Sequence, residues 1–336
     1  MANAVASSLF LSDHSSRDKP WESHRANADR VAALYQDAGE YKRYQRMRDC
    51  AESLCFALVA EDESTFRYRL KTAWFCRQRH CPVCQWRRSM MLRSRLLKSF
   101  HPDFDLGKTR SRYVLEDHPK ARFIFLTLTV RNCDLEDLRA TVKAMSQGWR
   151  RLINRKFFPA TGWIRSLEIT RNSATGQAHP HFHCLLMVEP GYFAGKNYIS
   201  QKQWRQYWRE AMRLDYDPVV NVKAVKGKDG SKYGITSGIL ETLKYEVKEQ
   251  DLVVDAGWLM ELTQQLSKIR AFAVGGILKE YIDENEPDNY IRVDEDDNGE
   301  DLSGYPSNTY TWLADIRRYV WKSSTVPQDS ANDEEE

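Results

Sequence analysis

The stretch Ala178–Val188, AHPHFHCLLMV, decides how this chain is read. Successive side chains on a β-strand point to opposite faces. Phe182, Cys184, Leu186 and Val188 therefore form an apolar face, and His179, His181 and His183 project together from the other. The chain has 8 histidines in 336 residues, and three fall within these five positions. Parallel imidazoles suit a divalent metal ion, so the spacing predicts a metal-binding strand.

The flanking segments extend the pattern. GWIRSLEITRN (162–172) reads as the preceding strand, joined by the turn residues NSATGQ. It places Glu168 on one face with Ser166 and Thr170, opposite Trp163, Arg165, Leu167 and Ile169. Glu168 either completes the metal shell or pairs with an Arg or Lys. ARFIFLTLTV (121–130) reads as a further strand, with Thr127 and Thr129 facing the same cleft. Asp134 is suited to cap a helix running to about Phe157, and Ser200 with Gln203 forms a capping box for a helix at 201–213. DPVVNVKAV (217–225) is a strand, 226–234 a basic loop, and 236–249 a helix. The order β-α-β-β-α-β-α predicts an α+β fold, with a central antiparallel sheet of split-βαβ, ferredoxin/RRM-like type flanked by helices.

On the 236–249 helix, Leu240, Leu243 and Val247 make an apolar stripe. Glu241, Tyr245 and Lys248 gather on a polar flank, because residues three and four apart are neighbours. A phenol, with a pKa near ~10, is a weak nucleophile at neutral pH, and a nearby cation favours the phenolate. A carboxylate one turn earlier suits a general base.

Cys76, Cys81 and Cys84 stand as C-x4-C-x2-C, a half-site for tetrahedral zinc. Cys50 is the fourth ligand expected, with Cys55 or His80 as substitutes. Arg77, Arg79, Arg87 and Arg88 surround the cluster and, with Lys226 and Lys228, suit contact with a phosphate backbone.

The formal net charge of +3 hides a split. Residues 1–280 carry 46 basic and 31 acidic groups, whereas 281–336 carry 4 basic and 16 acidic. The net +15 body suggests a polyanionic partner, and the −12 end concentrates its acids at 283–301 and 329–336. No apolar run approaches the roughly 20 residues of a membrane span, and no signal-peptide pattern opens the chain. A soluble cytoplasmic protein is expected. The expected organisation is an N-terminal arm or loose helix (1–42), a cysteine-rich zinc and DNA-binding module (43–118), a domain built on the histidine strand (119–252), a helical and hairpin C-terminal extension (253–322) and an acidic tail (323–336).

FLTLTVRN, HPHFH and ETLKYEVK occur in this order, after DCAESL and FCRQRHCPVCQWRR and before SKIRAFAVGGILKEYI and TYTWLADIRRYV. In that arrangement the chain resembles rolling-circle plasmid replication initiators of the HUH endonuclease superfamily, in the group with one catalytic Tyr and a Glu one turn before it. The likeness covers about residues 43–322. It implies that His181 and His183 bind Mg²⁺ or Mn²⁺, with Glu168 or His179 as the further ligand. It also implies that Tyr245 attacks DNA to give a 5′-phosphotyrosine and a free 3′-OH, and that Glu241 activates water for termination. Lys244 and Lys248 would steady the phosphate. The partners implied are the replication origin, single-stranded or as a supercoiled hairpin, and a host helicase and polymerase; an oligomer is compatible. Two other readings remain, an HUH-type transposase and a non-catalytic zinc repressor.

Overall fold

The computed structural model describes residues 9–62, 65–105, 110–225, 235, 236, 238, 239, 247–282 and 301–326. In chain order the main elements are α1 (Leu11–His14), α2 (Pro20–Asp37), α3 (Tyr41–Asp49), β1 (Ser53–Ala60), β2 (Phe66–Ala73), α4 (Pro82–Phe100), α5 (Val114–Asp117), β3 (Arg122–Thr129), α6 (Leu138–Ile153), β4 (Ala160–Arg171), β5 (Ala178–Val188), α7 (Gln201–Met212), β6 (Val220–Ala224), β7 (Phe272–Gly276), β8 (Ser307–Leu313) and β9 (Arg318–Thr325). The chain is α+β, with antiparallel sheets and flanking helices. Two compact units divide between Arg87 and Arg88, inside α4. No helix among the described residues is long and apolar enough to cross a membrane.

One unit holds the chain up to Arg87 together with the C-terminal hairpin. Its sheet has the order β2-β1-β8-β9. Residues 9–42, expected as an arm or loose helix, belong to this unit and carry the long helix α2. Pro20 opens α2, where its missing N–H costs nothing, and Trp21, Arg25, Ala28, Val31, Ala32 and Tyr35 are buried along one side. Arg25 pairs with Asp29 at 2.9 Å and donates to the Arg48 carbonyl at 2.6 Å. The 307–325 hairpin was expected in a separate extension. It pairs with β1 through Leu54–Tyr310 and Phe56–Asn308, so the cysteine-bearing segment and the C-terminal hairpin share one sheet.

The other unit is built on a five-stranded sheet of order β6-β3-β5-β4-β7, antiparallel throughout. The chain runs β3-α6-β4-β5-α7-β6, the order the sequence predicts, and β7 adds an edge strand the sequence reading missed. The β4–β5 hairpin turns on Asn172, whose Oδ1 accepts from the backbone N–H groups of Ala174 and Thr175. Gly176 supplies the left-handed turn position at φ 74°. The α7 capping box forms as read, with Ser200 and Gln203 bonding reciprocally. Asp134 does not cap a long helix; it precedes a 3₁₀ turn and accepts from the Gln177 amide, and α6 ends at Ile153. One sheet face is covered by α6 and α7 through buried Met145, Trp149, Trp204 and Trp208. On the opposite face Phe123, Ile164, Leu185 and Val274 pack with Leu96, Phe100, Ile235 and Ile239. That second cluster fills one end of its face and leaves the histidine end for polar groups.

Candidate functional site

The sheet register assembles the polar end of that face. Glu168 on β4 lies opposite His181 on β5, and Ser166 lies opposite His183. From β3, Thr129 pairs with His181 and Thr127 with His183. Two rows of side chains result, Thr129–His181–Glu168 and Thr127–His183–Ser166, and a shift of one residue would turn them all to the other face. Glu168, His181 and His183 are 3%, 9% and 5% exposed. The indole N–H of Trp208, on the opposite side of the sheet, donates to the Thr129 carbonyl at 2.8 Å and braces β3 at this point.

Both imidazoles converge on one carboxylate oxygen. His181 Nε2 stands 2.9 Å and His183 Nε2 2.6 Å from Glu168 Oε2. His181 Nδ1 is 3.2 Å from the His179 carbonyl oxygen. A carbonyl only accepts, so Nδ1 carries the hydrogen. In a neutral His181, Nε2 then directs a lone pair at the carboxylate. Two lone pairs this close require a positive charge between or beside them, which a proton or a metal ion supplies. The Glu168 carboxyl feels burial, which raises its pKa, but hydrogen bonds from His181 and His183 and their charges outweigh this and hold it well below the usual carboxylate range. One carboxylate oxygen and two oriented imidazoles, all within 4.8 Å of one another, form a donor set that fits a divalent cation. The orienting carbonyl is the kind of support a ligating histidine receives.

His179 shares the face but not the cluster. Its Nδ1 lies 2.8 Å from Asn132 Oδ1. Of the two further ligands the sequence left open, Glu168 is the one beside His181 and His183. Asn132 itself was not picked out from the sequence, and no spacing signals it.

Tyr245, Glu241, Lys244, Lys226 and Lys228 lie outside the described residues. The chain on either side of the first three is described. Residues 235, 236, 238 and 239 are helical, whereas Val247 forms a parallel bridge with Ile169, the neighbour of Glu168. Lys248 is exposed and extended, with φ −66° and ψ 140°. The helix read over 236–249 therefore does not reach Val247 and Lys248. The β-branched Val247 is fully buried beside the sheet instead, and Lys248 precedes a new helical turn at Glu249–Leu252.

The first unit carries the second cluster. Cys50, Cys76, Cys81 and Cys84 are all 0% exposed. Cys50 Sγ is 3.6 Å from Cys84 Sγ and 3.7 Å from Cys81 Sγ, and Cys76 Sγ is 3.6 Å from Cys84 Sγ. Disulfide sulfurs would stand about 2.0 Å apart. Four sulfurs about 2.3 Å from a shared zinc ion would stand about 3.8 Å apart, close to the spacing seen, so this donor set fits tetrahedral thiolate coordination. Cys55 is half-buried on β1 and His80 is buried, and neither belongs to this group. Arg77 is exposed at φ 57°, Arg79 and Arg88 are half-buried, and Arg87 lies over the rings of Trp21 and Phe75.

Comparison with known proteins places the chain. The family model described as Replication protein (Rep_1) matches residues 67–320. The chain belongs to this replication protein family. It is 36% identical over 274 residues to "Protein rep" of Lentilactobacillus hilgardii, covering 79% of this chain and 82% of that one. It is 33% identical over 326 residues to "Protein rep" of Bacillus amyloliquefaciens, covering 90% of each. A "Replication protein" of Staphylococcus aureus is 38% identical over 202 residues, 56% of this chain and 86% of its own. No solved structure matches. The Rep_1 match contains Glu168, His181 and His183 and three of the four clustered cysteines; Cys50 lies before it.

Proposed function

We propose that this protein starts rolling-circle replication by nicking one strand of a plasmid origin, with Tyr245 as the nucleophile. The carrying observation is the convergence of Glu168, His181 and His183 on one sheet face, next to the bridge between Ile169 and Val247. Val247, which makes that bridge, follows Tyr245 by two residues in the sequence. The strand order and the β3-α6-β4-β5-α7-β6 path support a nicking domain of the HUH split-βαβ type.

In this reading the Tyr245 phenolate oxygen attacks phosphorus. The P–O3′ bond breaks, the departing 3′-oxygen takes up a proton, and a 5′-phosphotyrosine forms. A host polymerase extends the free 3′-OH, with a helicase opening the duplex. After one round Glu241 acts as general base for the water that ends the cycle, so no second tyrosine is needed. Lys244 and Lys248 steady the phosphate. Glu168, His181 and His183 would hold Mg²⁺ or Mn²⁺, which when bound polarises the scissile phosphate as a Lewis acid and orients it. The His179 carbonyl keeps the His181 ring turned for that task, and Asn132 holds the His179 ring aside. The four-cysteine cluster would hold structural zinc, and Arg77, Arg79, Arg87, Arg88, Lys226 and Lys228 would contact the DNA backbone. The work takes place in the cytoplasm.

The test uses a supercoiled plasmid carrying the cognate origin, with Mn²⁺. Wild type should convert it to open circles carrying attached protein, and His183→Ala should not. Equal nicking by both proteins, or binding without nicking in every divalent cation tried, would overturn the reading.

A further inference from the structure

We infer that α3 is the element with which this protein engages duplex DNA, set along the major groove with its lysine and arginine side chains against the flanking phosphates. The inference rests on the reading that the chain acts at a replication origin, but not on its nicking chemistry.

The helix YKRYQRMRD has nine residues and buries only Met47. A helix this short is marginal by itself, and one that contributes a single side chain to a core does little for packing. It is nevertheless tied down closely. The Gln78 amide donates to the Arg43 carbonyl at 2.7 Å, and Arg46 donates to the Cys76 carbonyl at 2.7 Å. Cys50, the next residue after the helix, belongs to the four-cysteine cluster. The helix is thus tied to the cysteine knuckle through Arg43, Arg46 and Cys50, while the side chains of Tyr41, Lys42, Gln45 and Asp49 make none of those contacts.

That outer side has the chemistry of a nucleic-acid surface. On the helical wheel Tyr41, Lys42, Gln45, Arg48 and Asp49 lie away from Met47; Arg46 turns its guanidinium to the Cys76 carbonyl, and Arg48 donates to the Tyr44 hydroxyl at 2.9 Å. Tyr41 is 67% exposed, and Lys42, Gln45, Arg46, Arg48 and Asp49 are all exposed. Lys42, Arg43, Arg46 and Arg48 outweigh the acids on and beside the helix, Glu40, which pairs with Arg43 at 3.3 Å, and Asp49, which accepts from Gln45 at 2.9 Å. Lys and Arg pair with guanine edges, Gln with adenine, and Asp accepts from cytosine. A helix of this length, about 13 Å, enters a major groove about 12 Å wide. The occupant that fits is B-form DNA. A lipid surface does not fit, because the outer side offers no aliphatic residue.

The test compares three full-length proteins: wild type, the double variant Lys42→Ala/Arg48→Ala, and a control of equal charge loss in the same unit, Arg67→Ala/Lys322→Ala. Arg67 and Lys322 are exposed on the sheet. Binding to an origin duplex is measured by fluorescence anisotropy across a salt series, and nicking on a short single-stranded oligonucleotide with Mn²⁺. Each lost phosphate contact lowers the log–log salt slope by about 0.9. The α3 double variant should lose about 1.8 from the slope and at least about ten-fold in duplex affinity. Its single-strand nicking should match wild type, and the control should stay within about two-fold in duplex affinity. Lys42→Gln, which leaves every hydrogen bond named above in place, should by itself lower the slope by about 0.9. Equal losses in the α3 and control variants, or an unchanged slope in Lys42→Gln, would overturn the inference. Selective duplex binding through α3 by a protein that nicks nothing would leave this inference standing and remove the nicking reading.

Discussion

Replacing Cys50 with alanine should release a metal ion from the N-terminal unit, and replacing Cys55 should not. Both thiols come from one short segment, yet Cys50 is fully buried with sulfur neighbours at 3.6 and 3.7 Å, whereas Cys55 is half-buried outside the cluster. Burial and neighbouring thiols push the protonated Cys81 thiol well up in the absence of an ion, and zinc would replace those protons. If the ion is present at about a thousand times its dissociation constant, it stabilises the fold by about 4 kcal/mol. At roughly 2–8 °C per kcal/mol for domains of this size, Cys50→Ala or chelation should lower the melting temperature by on the order of 10 °C or more. Cys55→Ala loses only a partly buried sulfur, about 1 kcal/mol or less. Metal content by mass spectrometry, read beside thermal melting with and without chelator, checks this. One zinc in wild type and Cys55→Ala and none in Cys50→Ala is the expected pattern. Metal-free wild type, or equal melting temperatures for the two variants, would refute the reasoning.

Glu241→Ala should nick at a near-normal rate but accumulate products that fail to terminate; normal release of monomer circles would remove its assigned role. Trp208→Phe keeps the ring's bulk but deletes the buried bond to the Thr129 carbonyl, so it should cost about 1–3 kcal/mol in chemical denaturation. The Tyr281 hydroxyl and the Arg112 guanidinium hold the Asp117 carboxyl below its usual pKa. A depressed folded pKa contributes stability above the unfolded value and loses it as pH falls through the folded one. The melting-temperature gap between wild type and Asp117→Asn should therefore be full above the ordinary carboxylate pKa of about 4 and close as pH falls below it; a gap independent of pH would contradict this.

The strands of the site were legible because alternation is strong there. Phe182, Cys184 and Leu186 mark one face and the histidines the other, and three of four clustered cysteines sit within nine residues. Whether Glu168 or His179 joins His181 and His183 was not legible. It depends on Glu168 standing opposite His181 in the register, a pairing no single strand encodes. The segment of α2 read as no more than an arm or loose helix because one of its buried positions is filled by Arg25, whose guanidinium pairs with Asp29 and donates to the Arg48 carbonyl. The strand β7 is five residues long and ends in two glycines, too little alternation to stand out. The pairing of Ser53–Ala60 with Ser307–Leu313 joins segments some 250 residues apart, beyond the reach of local pattern. The helix read through Val247 failed because its apolar stripe was taken as helical when Val247 serves the sheet at Ile169.

Covalent attachment of DNA to Tyr245 is tested by peptide mapping with mass spectrometry after incubation with single-stranded origin DNA and Mn²⁺. A nucleotide mass is expected on the peptide containing Tyr245 and absent from Tyr245→Phe. An adduct on another tyrosine, or an undiminished adduct in Tyr245→Phe, would contradict it.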